Sequence, residues 1–506
     1  MKTYLGMELG STRIKAVAVD EVHRPVSSGD YTWQSKLEGG LWTYDLPEVW
    51  TGLKAALQGI SHRERIAAVG VSGMMHGYLA FDKEWHLLTP FRTWQNTCTG
   101  PAAAELTEKL GFNIPQRWSA AHLYQAILNG EAHLSRLAHL TTLSGYVHLI
   151  LTGENVLGVG EASGMFPIDP ETCDYDAGML AQFDALAAAH GFHTPLRQLL
   201  PDVLPAGAAA GRLLPGTPLE GLLPEDVPFA PPEGDAGTGM TATNAVAPRT
   251  GNVSAGTSIF AMVVLEKPLS AVYPEIDMVT TPTGRPVAMV HCNNCTADSN
   301  AWVSLLGEAA ALFGGQADKG ELYAGLYRKS LEGAPDCGSV TVCNYLSGEG
   351  VTHLDRGIPM VVRGPAGRLN LADFLRATLY SSLATLAIGM ELLKREQVAI
   401  DSLTGHGGYF KTPEVGQRYL AAACGTAVTC MESAGEGGPY GMALLAAYLD
   451  RKQPGQTLED YLSRFVFAEA RKTVRQPDPA DAAGFARYLD RYRRLLTAER
   501  AVLEVL

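Results

Sequence analysis

One pattern occurs twice in the chain. Leu5-Gly-Met-Glu-Leu-Gly10-Ser11-Thr12-Arg-Ile-Lys15-Ala-Val-Ala-Val19 returns as Gly251-Asn-Val-Ser-Ala-Gly256-Thr257-Ser258-Ile-Phe-Ala-Met-Val-Val-Leu265. Each copy is an apolar strand, a glycine followed by two hydroxyl residues, and a second apolar strand. That order predicts a β-hairpin whose turn draws on the backbone freedom of glycine. Such a turn offers backbone N–H groups and two hydroxyls, a set able to cradle phosphate oxygens. A single Gly-Ser-Thr hairpin reads as an ordinary surface turn. One copy opening each half of the chain predicts a duplicated fold, its two hairpins facing each other across a cleft and clamping a polyphosphate.

The rest of the chain fits an α/β architecture of two or three domains. Its 506 residues exceed the ~250–300 at which one hydrophobic core stops growing. Apolar runs such as Ile66–Val71 and Ile400–Thr404 alternate with helical patterns, between punctuating glycines and prolines. Prolines cluster between residues 195 and 232, which excludes a long regular element and suggests a boundary near residue 226. The expected domains are therefore 1–226, 227–450 and a C-terminal helical segment, 451–506. In that last segment Phe485, Tyr488, Leu489, Tyr492, Leu495 and Leu496 recur at helical spacing, after a start signal at Pro477–Asp481.

Composition removes several function classes. Forty Lys+Arg against 53 Asp+Glu give a net charge of −13, the wrong sign for holding a nucleic-acid backbone. No run approaches the ~18–20 apolar residues of a membrane span. The opening residues meet Glu8 too early for a signal peptide, so a cytoplasmic protein is expected. Eight cysteines are too sparse for a disulfide framework. Cys292 and Cys295 have the spacing of half a zinc site, but Cys337 and Cys343 are too far apart to complete it, and reduced thiols near a turn are the better reading. No Gly-x-x-x-x-Gly-Lys-[Ser/Thr] sequence exists, so a P-loop is excluded. The run from Ala427 to Gly441 has the wrong glycine spacing for a dinucleotide fingerprint, and Pro439 interrupts it.

Phosphoryl transfer needs a cation-binding carboxylate, donors on the phosphates and a base for the acceptor hydroxyl. Glu8, two residues before Gly10, and Asp235, after Pro231-Pro-Glu-Gly234 and before a small-residue helix, are the carboxylates so placed. Asp235 also reads as a helix N-cap, a role compatible with the first. A third region, Ser72-Gly-Met-Met75-His76-Gly77 followed by Trp94-Gln95-Asn96, combines an apolar plate with donors and acceptors suited to a polyhydroxylated ligand.

Taken in order, these segments resemble the FGGY carbohydrate kinases of the actin/hexokinase-like ATPase superfamily, most closely the xylulokinase-like branch. Gly6–Thr12 is similar to the family's first phosphate motif, Gly73–Gly77 to a xylulokinase Gly-Gln-Met-His-Gly, and Gly234-Asp235-Ala236 to the motif of the catalytic Asp. Val253–Ser258 resembles the second phosphate motif, Tyr345–Glu349 a Tyr-Leu-x-Gly-Glu segment, and Gly405–Gly408, with Lys411 and Gln417, the adenosine motif. The resemblance implies two actin-like (ribonuclease H-like) domains related by duplication around a deep cleft, binding ATP, Mg²⁺ and a sugar. A homodimer stays open. By the same resemblance Asp235 is the catalytic base and, with Glu8, a metal ligand. Gly10, Ser11, Thr12, Lys15, Gly256, Thr257, Ser258, Gly407, Gly408 and Lys411 would hold the nucleotide, and Met75, His76, Trp94, Gln95 and Asn96 the sugar.

The sequence departs from the family pattern at two places. Glu8 stands where the family has Asp, and Trp94-Gln95-Asn96-Thr97-Cys98 replaces Trp-Asn-Asp-Gly-Arg. The expected activity is phosphorylation of a primary hydroxyl of a ketose, D-xylulose first, with ribulose or sedoheptulose as the alternative substrate. The competing readings are a superfamily ATPase coupled to a partner protein and a catalytically silent sugar sensor.

Overall fold

The computed structural model describes residues 2–315, 318–365, 367, 369–431 and 437–505. The chain divides into two compact units, the first made of 1–248, 264–288 and 436–470, the second of 249–263, 289–435 and 471–506.

The first unit is built on a five-stranded sheet of β1 (Thr3–Leu9), β2 (Arg13–Asp20), β3 (Pro25–Thr32), β4 (Ile66–Gly73) and β5 (Glu233–Gly234), in the order β5-β4-β1-β2-β3. β1 runs antiparallel to β2 and parallel to β4, and β5 is parallel to β4. Alternation along β1 sends Leu5, Met7 and Leu9 into a core shared with Val49, Leu53 and Leu57 of helix Leu46–Gln58. The even-numbered face carries Gly6 and receives helix Gly437–Arg451. A Cβ on Gly6 would stand 2.5 Å from the Ala443 amide nitrogen, so the bare glycine is what lets the helix backbone approach the strand.

The proline-rich stretch contains little regular structure beyond the short helix Leu196–Leu199 and strand Asp202–Leu204. The chain does not leave the first unit at residue 226. Val69 N–H donates to Pro228 O and Ala230 N–H to Val69 O, at 3.0 and 2.8 Å, and Phe229 is fully buried in the core. Pairing with β4 therefore keeps residues 227–248 in this unit. Likewise the chain beyond residue 450 is shared out, 451–470 with the first unit and 471–506 with the second.

In the second unit β6 (Thr250–Ala255), β7 (Ile259–Val264), β8 (Ser402–His406), β9 (Ala427–Met431) and β10 (Lys472–Arg475) lie in the order β7-β6-β8-β9-β10. β6 and β7 form an antiparallel hairpin, β8 is parallel to β6, and β9 is parallel to β8. The series β2-β1-β4-β5 of the first sheet is thus repeated as β7-β6-β8-β9, which is the duplication expected from the hairpins. β8 begins two residues later than the apolar run suggests and continues through Gly405 to His406. Gly435, part of the rejected dinucleotide pattern, lies outside the described residues. The C-terminal helix Pro479–Val505 buries all six of its expected apolar positions. Its first turn is anchored by Asp481, which pairs with Arg376 and Arg418, while Arg376 lies 5.2 Å from the ring centroids of Tyr380 and Tyr419. No helix among the described residues is long and apolar enough to cross a membrane.

Candidate active site

The two glycine turns are held from behind in similar ways. In the first, Gly10 O accepts from Trp33 Nε1 at 2.7 Å, Ser11 O from Tyr44 Oη at 2.7 Å, and Thr12 O from Trp33 N–H at 3.2 Å. In the second, Gly256 O accepts from the Thr296 N–H and hydroxyl at 3.0 and 2.7 Å, and Thr257 O from Cys295 N–H at 3.0 Å. With their carbonyls tied back, Ser11, Thr12 and Thr257 lie exposed. Neither Gly10 nor Gly256 has a positive φ, so the dihedral requirement expected of them is not what selects glycine. A Cβ on Gly256 would meet nothing within 4 Å, which leaves open space above the turn. The buttresses Trp33, Tyr44, Cys295 and Thr296 escaped the sequence reading, because nothing in a linear pattern ties them to the turns. The Cys-x-x-Cys segment is accordingly a support: both thiols are buried, and burial pushes both well above the ordinary thiol range.

Asp235 is the first residue of helix Asp235–Ala242, and Gly234, not Asp235, occupies the N-cap. Its Oδ1 accepts the Met75 N–H at 3.3 Å. The side chain remains reachable by solvent, yet the enclosing protein holds its carboxyl above the usual range. The amides of Met75 and Ala236 and the charge of Arg117 oppose that rise. Glu8 faces Lys15 across the hairpin and Ser72 on β4. Burial first, and then the charge of Asp235, push Glu8 up to about 7, with Lys15 opposing. Glu8, whose proton affinity the nearby charge of Asp235 helps raise, and Asp235 are hard oxygen donors with negative charge to share, a set that suits Mg²⁺.

Two more acids lie behind Asp235. Glu233 Oε1 and Oε2 accept from the N–H groups of Gly160 and Glu161 at 3.3 and 3.0 Å, and burial raises its carboxyl to about 8. Glu161 Oε1 accepts from Ser144 Oγ at 3.2 Å. Its fully buried carboxyl is held far above the usual range, by burial first and then by Asp235 and Glu233. Sequence reasoning missed both, since a glutamate carries no sign of burial without its neighbours.

The residues assigned to the sugar divide. His76 and Gly77 sit just past β4 with φ of +72° and +94°. Strain of this kind in a non-glycine residue is concentrated at functional sites. A Cβ on Gly77 would stand 2.7 Å from Arg92 O, so only glycine fits there. His76 is buried, its Nδ1 is 3.1 Å from Gly164 O, and its ring stacks on Trp118 at 6.1 Å. Trp94 is 39% exposed, and Gln95 is half-buried beside it. Asn96 is a correction. Its Nδ2 donates to Trp42 O and Thr93 O at 2.8 and 3.0 Å, and its Oδ1 accepts Trp42 N–H at 2.8 Å. A side chain so committed to backbone holds the loop and has little left to offer a sugar hydroxyl.

In the second unit Gly407 has φ +98°, and a Cβ there would stand 2.5 Å from Ala255 O. Gly408 opens onto free space and Lys411 is exposed. Gln417, grouped with them by sequence, is buried and donates to Val428 O and Thr473 O, both at 2.7 Å. It ties β9 to β10 instead of facing a base.

Comparison with known proteins identifies the family. Residues 3–241 match the N-terminal domain, and 251–449 the C-terminal domain, of the FGGY family of carbohydrate kinases. The chain is 24% identical to a xylulose kinase of Escherichia coli over 97% of this chain and 98% of that protein. A solved xylulose kinase from Rhodospirillum rubrum superposes with a TM-score of 0.80 at 18% identity, covering 99% of this chain and 100% of the other. A gluconate kinase from Lactobacillus acidophilus gives the same TM-score at 17% identity, with 98% of each chain covered, so the fold alone does not choose the sugar. The chain belongs to the FGGY family of carbohydrate kinases, and it is a two-domain sugar kinase of actin-like fold that uses ATP.

Proposed function

We propose that this kinase transfers the γ-phosphate of ATP to a primary hydroxyl of an open-chain ketose, with D-xylulose the first candidate and ribulose and sedoheptulose next. The observation that carries the reading is Asp235: a solvent-reachable carboxylate with a raised proton affinity, oriented by the amide of Met75, which the strained His76 follows in the chain. A base with raised affinity is better matched to drawing a proton from an alcohol as the oxygen attacks phosphorus. The Escherichia coli xylulose kinase, matched along 98% of its length, supports the choice of sugar.

In this reading Met75, His76, Trp94 and Gln95 orient the ketose, and Asp235 takes the proton of the attacking hydroxyl. Ser11, Thr12, Thr257 and Ser258 donate to phosphate oxygens from turns whose carbonyls face away, and Lys15 adds charge. Gly407 and Gly408 leave room for the adenosine, with Lys411 beside them. Glu8 and Asp235 would hold Mg²⁺, which supplies positive charge to the transferring phosphoryl group. The departures at Glu8 and Asn96 are what would favour a silent sensor. Asn96 belongs to the loop's own framework, and Glu8 keeps a carboxylate at the metal position, so neither argues for loss of catalysis.

Replacing Asp235 by Ala is expected to lower sugar phosphorylation by about 10²–10⁴-fold while ATP binding persists. A rate near that of the wild type would refute the assignment.

A further inference from the structure

Helix Gly437–Arg451 contains glycines of two kinds. A Cβ on Gly441 would overlap the Thr238 carbonyl oxygen and stand 2.8 Å from its carbon, so that glycine admits one backbone to another. Gly438, one turn earlier, meets a different neighbour. Its Cβ would collide with Glu8 Oε1, 2.8 Å from Glu8 Cδ, and would approach Thr238 Oγ1 at 3.1 Å. What stands in the way at 438 is the far end of a flexible side chain. Glu8 reaches this point because β1 lies under the helix: Gly6 packs on Ala443, and Glu8, two residues on, reaches the helix's first turn.

We propose that Gly438 is a positioning residue for the reaction: the space left by its missing side chain is where the Glu8 carboxylate stands, and that space sets the distance of Glu8 from Asp235. Glutamate is one methylene longer than aspartate, and the bare first turn accommodates the added length. An alanine at 438 would leave the fold intact and push the carboxylate out of its place. A shorter aspartate at position 8 would withdraw from the collision. The two positions are therefore coupled, each tolerating a change in the other that it does not tolerate alone.

The inference rests on the kinase reading, and its test separates the two. Gly438→Ala, Glu8→Asp and the double variant are compared with the wild type. In metal-free, nucleotide-free protein, Gly438→Ala is expected to melt no earlier than the wild type, since alanine favours a helix over glycine. With MgATP and sugar, it is expected to lose about tenfold or more in kcat with little change in sugar KM, the sign of a displaced group acting at the chemical step. The double variant is expected to be faster than Gly438→Ala alone, which a purely structural role for residue 438 does not predict. A wild-type kcat in Gly438→Ala, or a loss that Glu8→Asp leaves unrelieved, overturns the proposal. So does an early melting that Glu8→Asp does not correct. If the wild type phosphorylates no sugar, the kinase reading fails, while the metal-free melting temperatures of the four proteins still read the Glu8–Gly438 coupling.

Discussion

Replacing Tyr44 by Phe removes a single oxygen from behind the first phosphate turn. The ring remains, with its contacts to Trp33 at 4.4 Å and Phe91 at 6.4 Å between centroids, so packing is preserved. What disappears is the 2.7 Å hydrogen bond from Tyr44 Oη to Ser11 O. A bond of this kind contributes about 0.5–1.5 kcal/mol net, because water can partly replace it at an exposed turn. The expected loss of stability is thus about 1 kcal/mol, a fall of roughly 1–2 °C in melting temperature for a unit of this size. If that energy holds the turn in its phosphate-facing geometry, the same loss raises the KM for ATP by about two- to tenfold. The assay is ADP release at varied ATP with saturating sugar, repeated at varied sugar with saturating ATP. An unchanged KM for ATP, or an effect confined to the sugar, would show that the rear hydrogen bonds do not govern phosphate binding.

Two further outcomes concern the framework. Asp481→Ala should strand the Arg376 guanidinium in the interior and cost about 3–5 kcal/mol, visible as an early transition in calorimetry; a loss below about 1 kcal/mol would contradict the anchoring role. Glu233 has a folded-state carboxyl raised from 4.5 to about 8, so the folded chain keeps a proton that the unfolded chain releases. Stability should therefore fall as pH rises through that window, and Glu233→Gln should ease the slope by up to about 1.4 kcal/mol per pH unit in urea denaturation at stepped pH. An unchanged slope would refute the buried assignment.

What the sequence made legible was whatever repeats or alternates. The paired Gly-hydroxyl-hydroxyl hairpins foretold the duplicated sheet order, and the spacing of Phe485, Tyr488 and Tyr492 foretold the last helix. The limits lie where function depends on contacts between distant segments. Asn96 and Gln417 look like ligand-binding amides in a motif, and only the structure shows their hydrogen bonds spent on Trp42, Thr93, Val428 and Thr473. Trp33 and Tyr44 carry no mark of service to Gly10 and Ser11, which precede them by more than twenty residues. The proline run near residue 226 signals irregular chain correctly, but irregular chain that pairs with β4 through Pro228 and Ala230 is not a linker. Burial likewise escapes a linear reading, which is why Glu161 and Glu233 went unnoticed beside Asp235.

The measurement that bears most directly on the central claim is ADP release by the wild-type protein with MgATP, read without sugar and with D-xylulose, D-ribulose, sedoheptulose and gluconate in parallel. Sugar-dependent turnover, fastest with a ketose, is the predicted result. ADP release that is indifferent to sugar, or silence with every sugar while ATP still binds, would contradict it.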